Sequence, residues 1–221
     1  MGKAKMTELY LVRHAQTAGN QKRAFQGLTD ADISQGGQAQ LEKLAERFAA
    51  VAFDRIYTSP LIRAKKTAEA VNRHHGKEII VNDALVEIDA GDLEGMPFSE
   101  VFEKYPEDVQ RFLNTPEIFE MPGGESMKHV YKRISMAVDD IVRTNSGGRV
   151  VIVSHGCALQ NYLACALGYG QKGISKAPIC YNTGVTHIRF TQNALPFIVS
   201  LNDASHLDSE QLANSKWELK P

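Results

Sequence analysis

Arg13-His14 follow the apolar run Leu9-Tyr10-Leu11-Val12, and His155 follows, after Ser154, a second run, Val150-Val151-Ile152-Val153. Such runs read as strands buried on both faces of a parallel sheet. The carboxyl ends of those strands are where α/β sheets bind ligands. An arginine and a histidine side by side there are costly to bury without a partner, and an anion satisfies both. Arg63 adds a third cation in the first turn of a helix expected to open at Ser59-Pro60. The positive end of that helix disfavours a guanidinium unless an anion lies between them. Taken singly, each of these groups is an ordinary surface side chain. Together Arg13, His14, Arg63 and His155 describe a compact positive pocket for a phosphate group. No Walker-type glycine loop and no carboxylate cluster of metal-binding spacing accompanies them. Side chains rather than a metal ion are expected to neutralise the phosphate.

The elements that must position these groups can be read along the chain. Ser34 is placed to cap a helix whose inner face is Leu41, Leu44, Ala45 and Phe48, spaced i, i+3, i+4, i+7. Phe53 to Thr58 reads as a short strand. Ser59-Pro60 then reads as a helix start, with Ser59 as the capping hydroxyl and Pro60 at the first helical position. Ala64, Ala68 and Val71 face inward from that helix, and His74-His75-Gly76 read as its cationic last turn and C-cap. Glu78 to Asn82 is a third strand. From Gly91 to Gly124 strand character is lost, with a helical patch at Phe98 to Tyr105 and prolines at 106, 116 and 122, which suggests an insertion over the edge of the sheet. Met127, Val130, Tyr131, Ile134, Val138, Ile141 and Val142 mark the clearest amphipathic helix. A helix from Ala158 to Leu167 follows the second buried strand. Val185 to Phe190 and Phe197 to Leu201, around a turn at Gln192-Asn193, suggest a closing hairpin. The polar tail from Asp203 is expected to pack loosely, anchored by Trp217. Strands alternating with helices imply an α/β fold with a mostly parallel sheet.

Composition bounds the function. With 221 residues, 43% of them hydrophobic and 23% charged, the chain suits one ordinary globular domain. Lys and Arg (25) nearly balance Asp and Glu (26), so no basic field marks a nucleic-acid or membrane partner. No apolar run approaches the ~20 residues that span a bilayer, and Met-Gly-Lys-Ala-Lys-Met lacks a signal-peptide core. A cytoplasmic protein is expected. Cys157, Cys165 and Cys180 form neither a metal-ligand pattern nor a disulfide framework. They read as small buried residues. Cys157 lies close enough to a strand end for a mildly activated thiol, a lesser alternative.

Five blocks occur in order: Arg13-His14 after a strand, Ser59-Pro60-Leu61-x-Arg63-Ala64-x-x-Thr67-Ala68, Glu87-x-x-x-Gly91-x-x-Glu94-Gly95, Pro122-Gly123-Gly124-Glu125-Ser126, and Val153-Ser154-His155-Gly156. In these the chain resembles the histidine phosphatase superfamily, also called phosphoglycerate mutase-like. The resemblance covers nearly everything from Leu9 to Asn182, plus Asn202-Asp203-x-Ser205-His206-Leu207. It departs at Ala15, where the family usually has glycine, and at Gln16, where glutamate is usual. It implies a three-layer sandwich around a mostly parallel sheet, one domain over residues 1–221 with a small helical cap inserted at about 92–125.

The resemblance also implies roles. His14 would attack phosphorus and carry a phosphohistidine. Arg13, Arg63 and His155 would hold the equatorial oxygens. Glu87 would protonate the leaving oxygen and then activate water. Thr17 and Asn20 would support the phosphate or the histidine, Gln26 and Gly27 would line the substrate side, and Gly156 would lie against the phosphate. Glu94 reads as structural, tying Gly91–Gly95 to a neighbour, and Asn182 as part of the pocket wall. No metal and no cofactor is implied. The partner would be a small phosphorylated metabolite, with a homodimer left open. The resulting expectation is a phosphomonoesterase, with ribazole phosphate, sugar phosphates, phosphoglycerate and nucleotide-like monoesters as candidate substrates. The alternatives are a cofactor-dependent phosphoglycerate mutase and, less favoured because the full set of site residues is present, a non-catalytic phospho-ligand binder. Met96 to Ser126 speaks against the mutase: its only cations are Lys104 and Arg111, against Glu100, Glu103, Glu107, Asp108, Glu117, Glu120 and Glu125. Such a balance repels a bisphosphate.

Overall fold

The computed structural model describes residues 6–191 and 194–216. Six strands, β1 (Thr7–Arg13), β2 (Arg55–Thr58), β3 (Ile79–Val81), β4 (Arg149–Ser154), β5 (Val185–Phe190) and β6 (Pro196–Asp203), form one sheet in the order β3-β2-β4-β1-β5-β6. β1 to β4 run parallel, and β5 pairs antiparallel with both β1 and β6. The continuous apolar runs of β1 and β4 follow from their central position, because both of their faces are covered. The two-residue period divides each run between two layers. Leu9, Leu11, Val150 and Ile152 enter one core with α6 (Met127–Thr144) and α7 (Gly156–Ala166). Val12, Val151 and Val153 enter the other with α2 (Gln35–Phe48) and α3 (Ile62–Asn72). The result is a helix–sheet–helix sandwich.

β1 and β4 lie side by side, with Val12 opposite Val153 and Arg13 opposite Ser154. Past their carboxyl ends the chain moves apart. β1 leads through the short α1 (Ala18–Gln21) to α2 on one face, whereas β4 leads directly into α7 on the other. A crevice opens where connections diverge in this way.

The segment from Gly91 to Gly124 carries α4 (Phe98–Lys104), α5 (Pro106–Asn114) and a 3-10 turn at Pro116–Ile118. It is seated on the loop that follows β1 rather than on an outer strand of the sheet. Phe25 donates to the Met96 carbonyl, Phe98 donates to that of Arg23, and Phe25 packs edge-on against Phe98 and Phe112. Aromatic burial against the β1 loop draws the segment over the carboxyl ends of the strands. Its ends meet: Asp92 N–H bonds to the Pro122 carbonyl at 2.8 Å, beside Gly91 at φ +52°.

Three local expectations are corrected. α3 begins at Ile62, not at Pro60, and Ser59 does not cap it. Ser59 still pairs with the sheet through the Val153 carbonyl, so the chain needs two more residues to turn, and Asp30 Oδ1 accepts from Ile62 N–H at 2.6 Å. His75 shares a hydrogen bond with the carbonyl of Phe48, the last residue of α2, so it serves that helix rather than its own. The tail is not loose. Asp203 pairs with Arg47 at 2.8 Å, and α8 (Ser209–Ser215), capped by Asp208, ends in a fully buried Ser215. Trp217 and the Gln192-Asn193 turn lie outside the described residues.

A Cβ at position 91 would stand 2.2 Å from the Pro122 carbonyl oxygen, on backbone that already has a positive φ. Gly91→Ala is therefore expected to lose about 1–3 kcal/mol of stability, read as a lower urea midpoint with an unchanged slope.

Candidate active site

The register of β1 and β4 brings His14 and His155 together, with ring centroids 5.2 Å apart. Both rings are buried. His14 Nδ1–H donates to the Ala15 carbonyl at 2.7 Å, which fixes the tautomer and leaves Nε2 with a free lone pair. Burial, then the charges of Arg63 and Arg13, push the His14 pKa well below 6.5. His155 is lowered in the same way by burial and by Arg63, His14 and Arg13. Its Nε2 lies 2.7 Å from Ser59 Oγ, and that oxygen already accepts from Leu61 N–H. The Ser59 hydroxyl is thus free to donate to Nε2, which leaves the proton of His155 on Nδ1.

His155 Nδ1, Arg13 Nε and Arg63 Nε are buried and have no hydrogen-bond partner. Both guanidiniums are otherwise anchored by carbonyls: Arg13 Nη1 by Cys180 at 2.6 Å, and Arg63 Nη1 and Nη2 by Thr29 and Gly27, each at 2.7 Å. These carbonyls take the place of the intervening anion expected for Arg63. Burial pulls the Arg13 pKa down to about 10, against the opposing pull of Glu87, so the group stays cationic at neutral pH. Three buried N–H donors therefore remain unpaired around a neutral imidazole. Buried donors are rarely left so, and an oxyanion is a partner that each could take; Arg13 lines the small cleft beside His14, whereas Arg63 and His155 do not.

Glu87 is buried and not part of an exposed loop. Its carboxylate accepts from the backbone N–H groups of Cys157 and Ala158 in the first turn of α7, at 3.0 and 2.9 Å, where a helix welcomes negative charge. Arg133 of α6 holds its peptide from behind, donating to the carbonyls of Val86 and Glu87 at 2.8 and 2.9 Å while pairing with Glu125. Arg13, His14, Asn20, Gln26, Gly27, Glu87 and Gly156 share one small cleft of about 50 Å³. Thr17 lies beneath it, fully buried; it caps α1 and bonds to Asn20 and, through its hydroxyl, to Gln26. The Gln26 amide is oriented to accept from Gly19 and Asn20 N–H at 2.9 and 3.0 Å. Glu94 staples the cleft's other loop by accepting from the N–H groups of Gly27, Leu28 and Thr29. Burial and Glu87 push the Cys157 thiol well up, and its sulfur rests 3.5 Å from Met127 Sδ. It is a packing residue, not an activated thiol.

Sequence reasoning passed over Ser59 as a support of His155, Arg133 behind Glu87, and a relay behind His14. In that relay Arg47 donates to His206 Nδ1, His206 Nε2–H to Thr183 Oγ1, and Thr183 Oγ1–H to the Asn182 carbonyl. Asn182 Nδ2 in turn bonds to the His14 carbonyl at 2.9 Å. Thr183 sits at φ +56°, a strained setting for a β-branched residue, and its N–H holds the Arg13 carbonyl at 3.0 Å. The Asn202-to-Leu207 block was the available signal, without a role attached to it. Among the described residues no group of three or more His, Cys, Asp or Glu could hold a metal, and no helix is long and apolar enough to cross a membrane.

Residues 9–204 match the profile of the histidine phosphatase superfamily (branch 1). The chain is 37% identical over 163 residues to "Phosphoserine phosphatase 1" of Hydrogenobacter thermophilus, covering 74% of this chain and 77% of that one. It is 30% identical to the "Probable phosphoglycerate mutase GpmB" of Cronobacter sakazakii over 94% of this chain and 98% of that one. Among solved structures, Bacillus stearothermophilus YhfR superposes with a TM-score of 0.85 at 32% identity, covering 90% and 98% of the two chains. A mutant phosphoserine phosphatase of Entamoeba histolytica in complex with phosphoserine superposes with a TM-score of 0.81 at 28% identity, covering 91% and 100%.

Histidines held neutral by burial take up protons only on unfolding. Stability is therefore full above about pH 6.5 and is lost as pH falls below it, by about 1.4 kcal/mol per pH unit for each histidine. Urea unfolding at pH 7.0 and 5.5 is expected to show this loss, with a slope shallower by one proton in His14→Asn.

Proposed function

This chain belongs to the histidine phosphatase superfamily and is a phosphomonoesterase, and from that premise we propose that it hydrolyses phosphoserine-type monoesters through a phosphohistidine on His14. The observation that carries the reading is the pairing of a neutral His14, its Nε2 lone pair free, with three unpartnered buried donors on Arg13, Arg63 and His155. The lone pair attacks phosphorus as the P–O bond to the leaving group breaks. The three donors take up charge developing on the phosphoryl oxygens. Glu87, at the same cleft, passes to the departing oxygen a proton taken up from the monoester or from solvent. It then removes one from the water that cleaves the N–P bond. Asn20, Gln26, Gly27 and Gly156 form the cleft wall, and Thr17 keeps that wall in shape.

Phosphoserine was absent from the substrates weighed on sequence alone; the named relatives support it. The phosphatase reading over the mutase is supported by the charge of the inserted segment. Lys104 is paired with Glu100, and Arg111 lies 3.5 Å from Glu107 and Asp108, all on the surface. Both cations are offset by neighbouring carboxylates, so the segment offers a second phosphate no net positive charge. Metal-independent catalysis is supported by the local charge, since Arg13 and Arg63 repel a divalent cation where the phosphate would sit. The three free cysteines fit a reducing, cytoplasmic compartment.

Purified protein is expected to release phosphate from phosphoserine in excess chelator and without bisphosphoglycerate. Rapid interconversion of 3- and 2-phosphoglycerate without phosphate release would instead show a mutase. His14→Ala is expected to abolish turnover of every monoester while leaving the fold intact. Glu87→Gln is expected to slow phosphoserine hydrolysis by about 10²–10⁴-fold. Its first step on 4-nitrophenyl phosphate, whose leaving group needs no proton, is expected to lose far less, seen as a burst of nitrophenol.

A further inference from the structure

Beside the phosphate cleft lies a cavity of about 730 Å³, reaching from Arg13 and Asn20 to Gln211 and Asn214 of α8. Its walls mix polar side chains, among them Gln16, Asn20, Gln40, Asn182 and Asn214, with the apolar surface of Phe98 and three alanines. The helix α8 forms one wall of it through Gln211, Ala213 and Asn214, although it comes from a tail that the sequence presents as loose. What fixes α8 there is a small set of bonds. Gln16, two residues after His14 and buried, donates from Nε2 to the Asn214 carbonyl at 2.9 Å. Its Oε1 accepts from the Ser34 hydroxyl at 2.8 Å. Ser34 Oγ is at the same time the acceptor for Gly37 N–H at the start of α2, so its proton is directed at Gln16. Asn182 N–H adds a bond to the Ser215 carbonyl at 3.1 Å.

We propose that this cavity receives the polar, charged leaving group of the phosphomonoester, and that Gln16 is the positioning residue that latches α8 as its wall. The proposal rests on the phosphatase reading of the adjoining cleft. A carbonyl can only accept, so the group facing Asn214 must donate, while the group facing Ser34 must accept. A side-chain amide does both. A glutamate at this position keeps the bond to Ser34 but sets an anionic oxygen against the Asn214 carbonyl. Gln16, the residue that departs from the family's usual glutamate, is thus matched to a helix that ends on the catalytic loop. Because its amide is spent on α8 and Ser34, it acts on selectivity through the wall and not through the reacting atoms.

The test is steady-state kinetics of wild type and Gln16→Glu on phosphoserine and on 4-nitrophenyl phosphate between pH 8 and 5, with amide hydrogen exchange of α8. The expected result is a KM for phosphoserine raised roughly tenfold at pH 8, the loss of one such bond plus a repulsion. On 4-nitrophenyl phosphate kcat stays within about twofold, and exchange across α8 is faster. On acidification the introduced carboxylate gains a proton to donate, and the KM of the variant converges on that of wild type. A merely structural defect would not be repaired in this way. An unchanged KM with unchanged exchange overturns the latch, as does an equal loss on both substrates at every pH. Should Gln16→Glu not fold, Gln16→Met removes the donor without adding charge and is expected to shift KM and exchange in the same direction. Wild type inactive on both monoesters would sink the phosphatase reading instead, and the exchange of α8 would still decide the latch.

Discussion

Two guanidinium groups are buried beside two histidines at the carboxyl ends of β1 and β4, and much of the surrounding structure answers to that concentration of positive charge. Burial alone would be prohibitive for unpaired cations. Here part of the charge is met by carbonyl dipoles, from Cys180 for Arg13 and from Gly27 and Thr29 for Arg63. Glu87 supplies an opposing charge to both. What remains is the N–H groups that face no partner. Burial first, and then the same field, keeps the two imidazoles neutral. One electrostatic arrangement therefore yields unpaired donors for an anion and an unprotonated imidazole together. Protonation of His14 would remove its free lone pair, and loss of the guanidinium charges would remove the attraction for an anion.

Such a site needs a frame that cannot relax around it. The carbonyls that hold Arg63 belong to a loop pinned by Glu94 through three successive N–H groups and by Asp30 at the start of α3. Glu87 is fixed from both sides, by the first turn of α7 and by Arg133. The carbonyls of Arg13 and His14 are held by Thr183 and Asn182, on a strained turn braced in turn by His206 and Arg47. Burial, followed by the charge of Arg47, pulls the His206 pKa down to about 4, which keeps its imidazole neutral and its hydrogen bonds directed at neutral pH. Hydrogen bonds of this kind contribute modestly to stability one by one. Their shared effect is to stop the donors from turning away to find partners elsewhere.

Much of the fold was open to reading in the chain because its signals are local. The apolar runs of β1 and β4, the i, i+3, i+4, i+7 faces of α2 and α6, and the closing hairpin each depend on residues within one window, and burial on two faces leaves a run no other composition to adopt. The chemistry of the site was readable for a related reason. A strand that ends on Arg13-His14 or Ser154-His155 must place those side chains at the sheet's mouth, whatever the rest of the chain does.

What only the tertiary structure decided are the choices between equally good local partners. Ser59-Pro60 looks like a helix cap, yet the sheet keeps Ser59 for one more ladder bond and hands its hydroxyl to His155, while Asp30 caps the helix from 32 residues away. The polar tail offers no apolar periodicity, so nothing local says that α8 will wall a cavity; it does so through backbone carbonyls, which every sequence possesses alike. The inserted segment could have covered any face, and it follows the aromatic contacts of Phe25 with Phe98 and Phe112. Composition and spacing determine which groups can do chemistry and where strands end. Distance in space alone determines which lone pair is free, which donor is left unpaired, and which helix stands beside them.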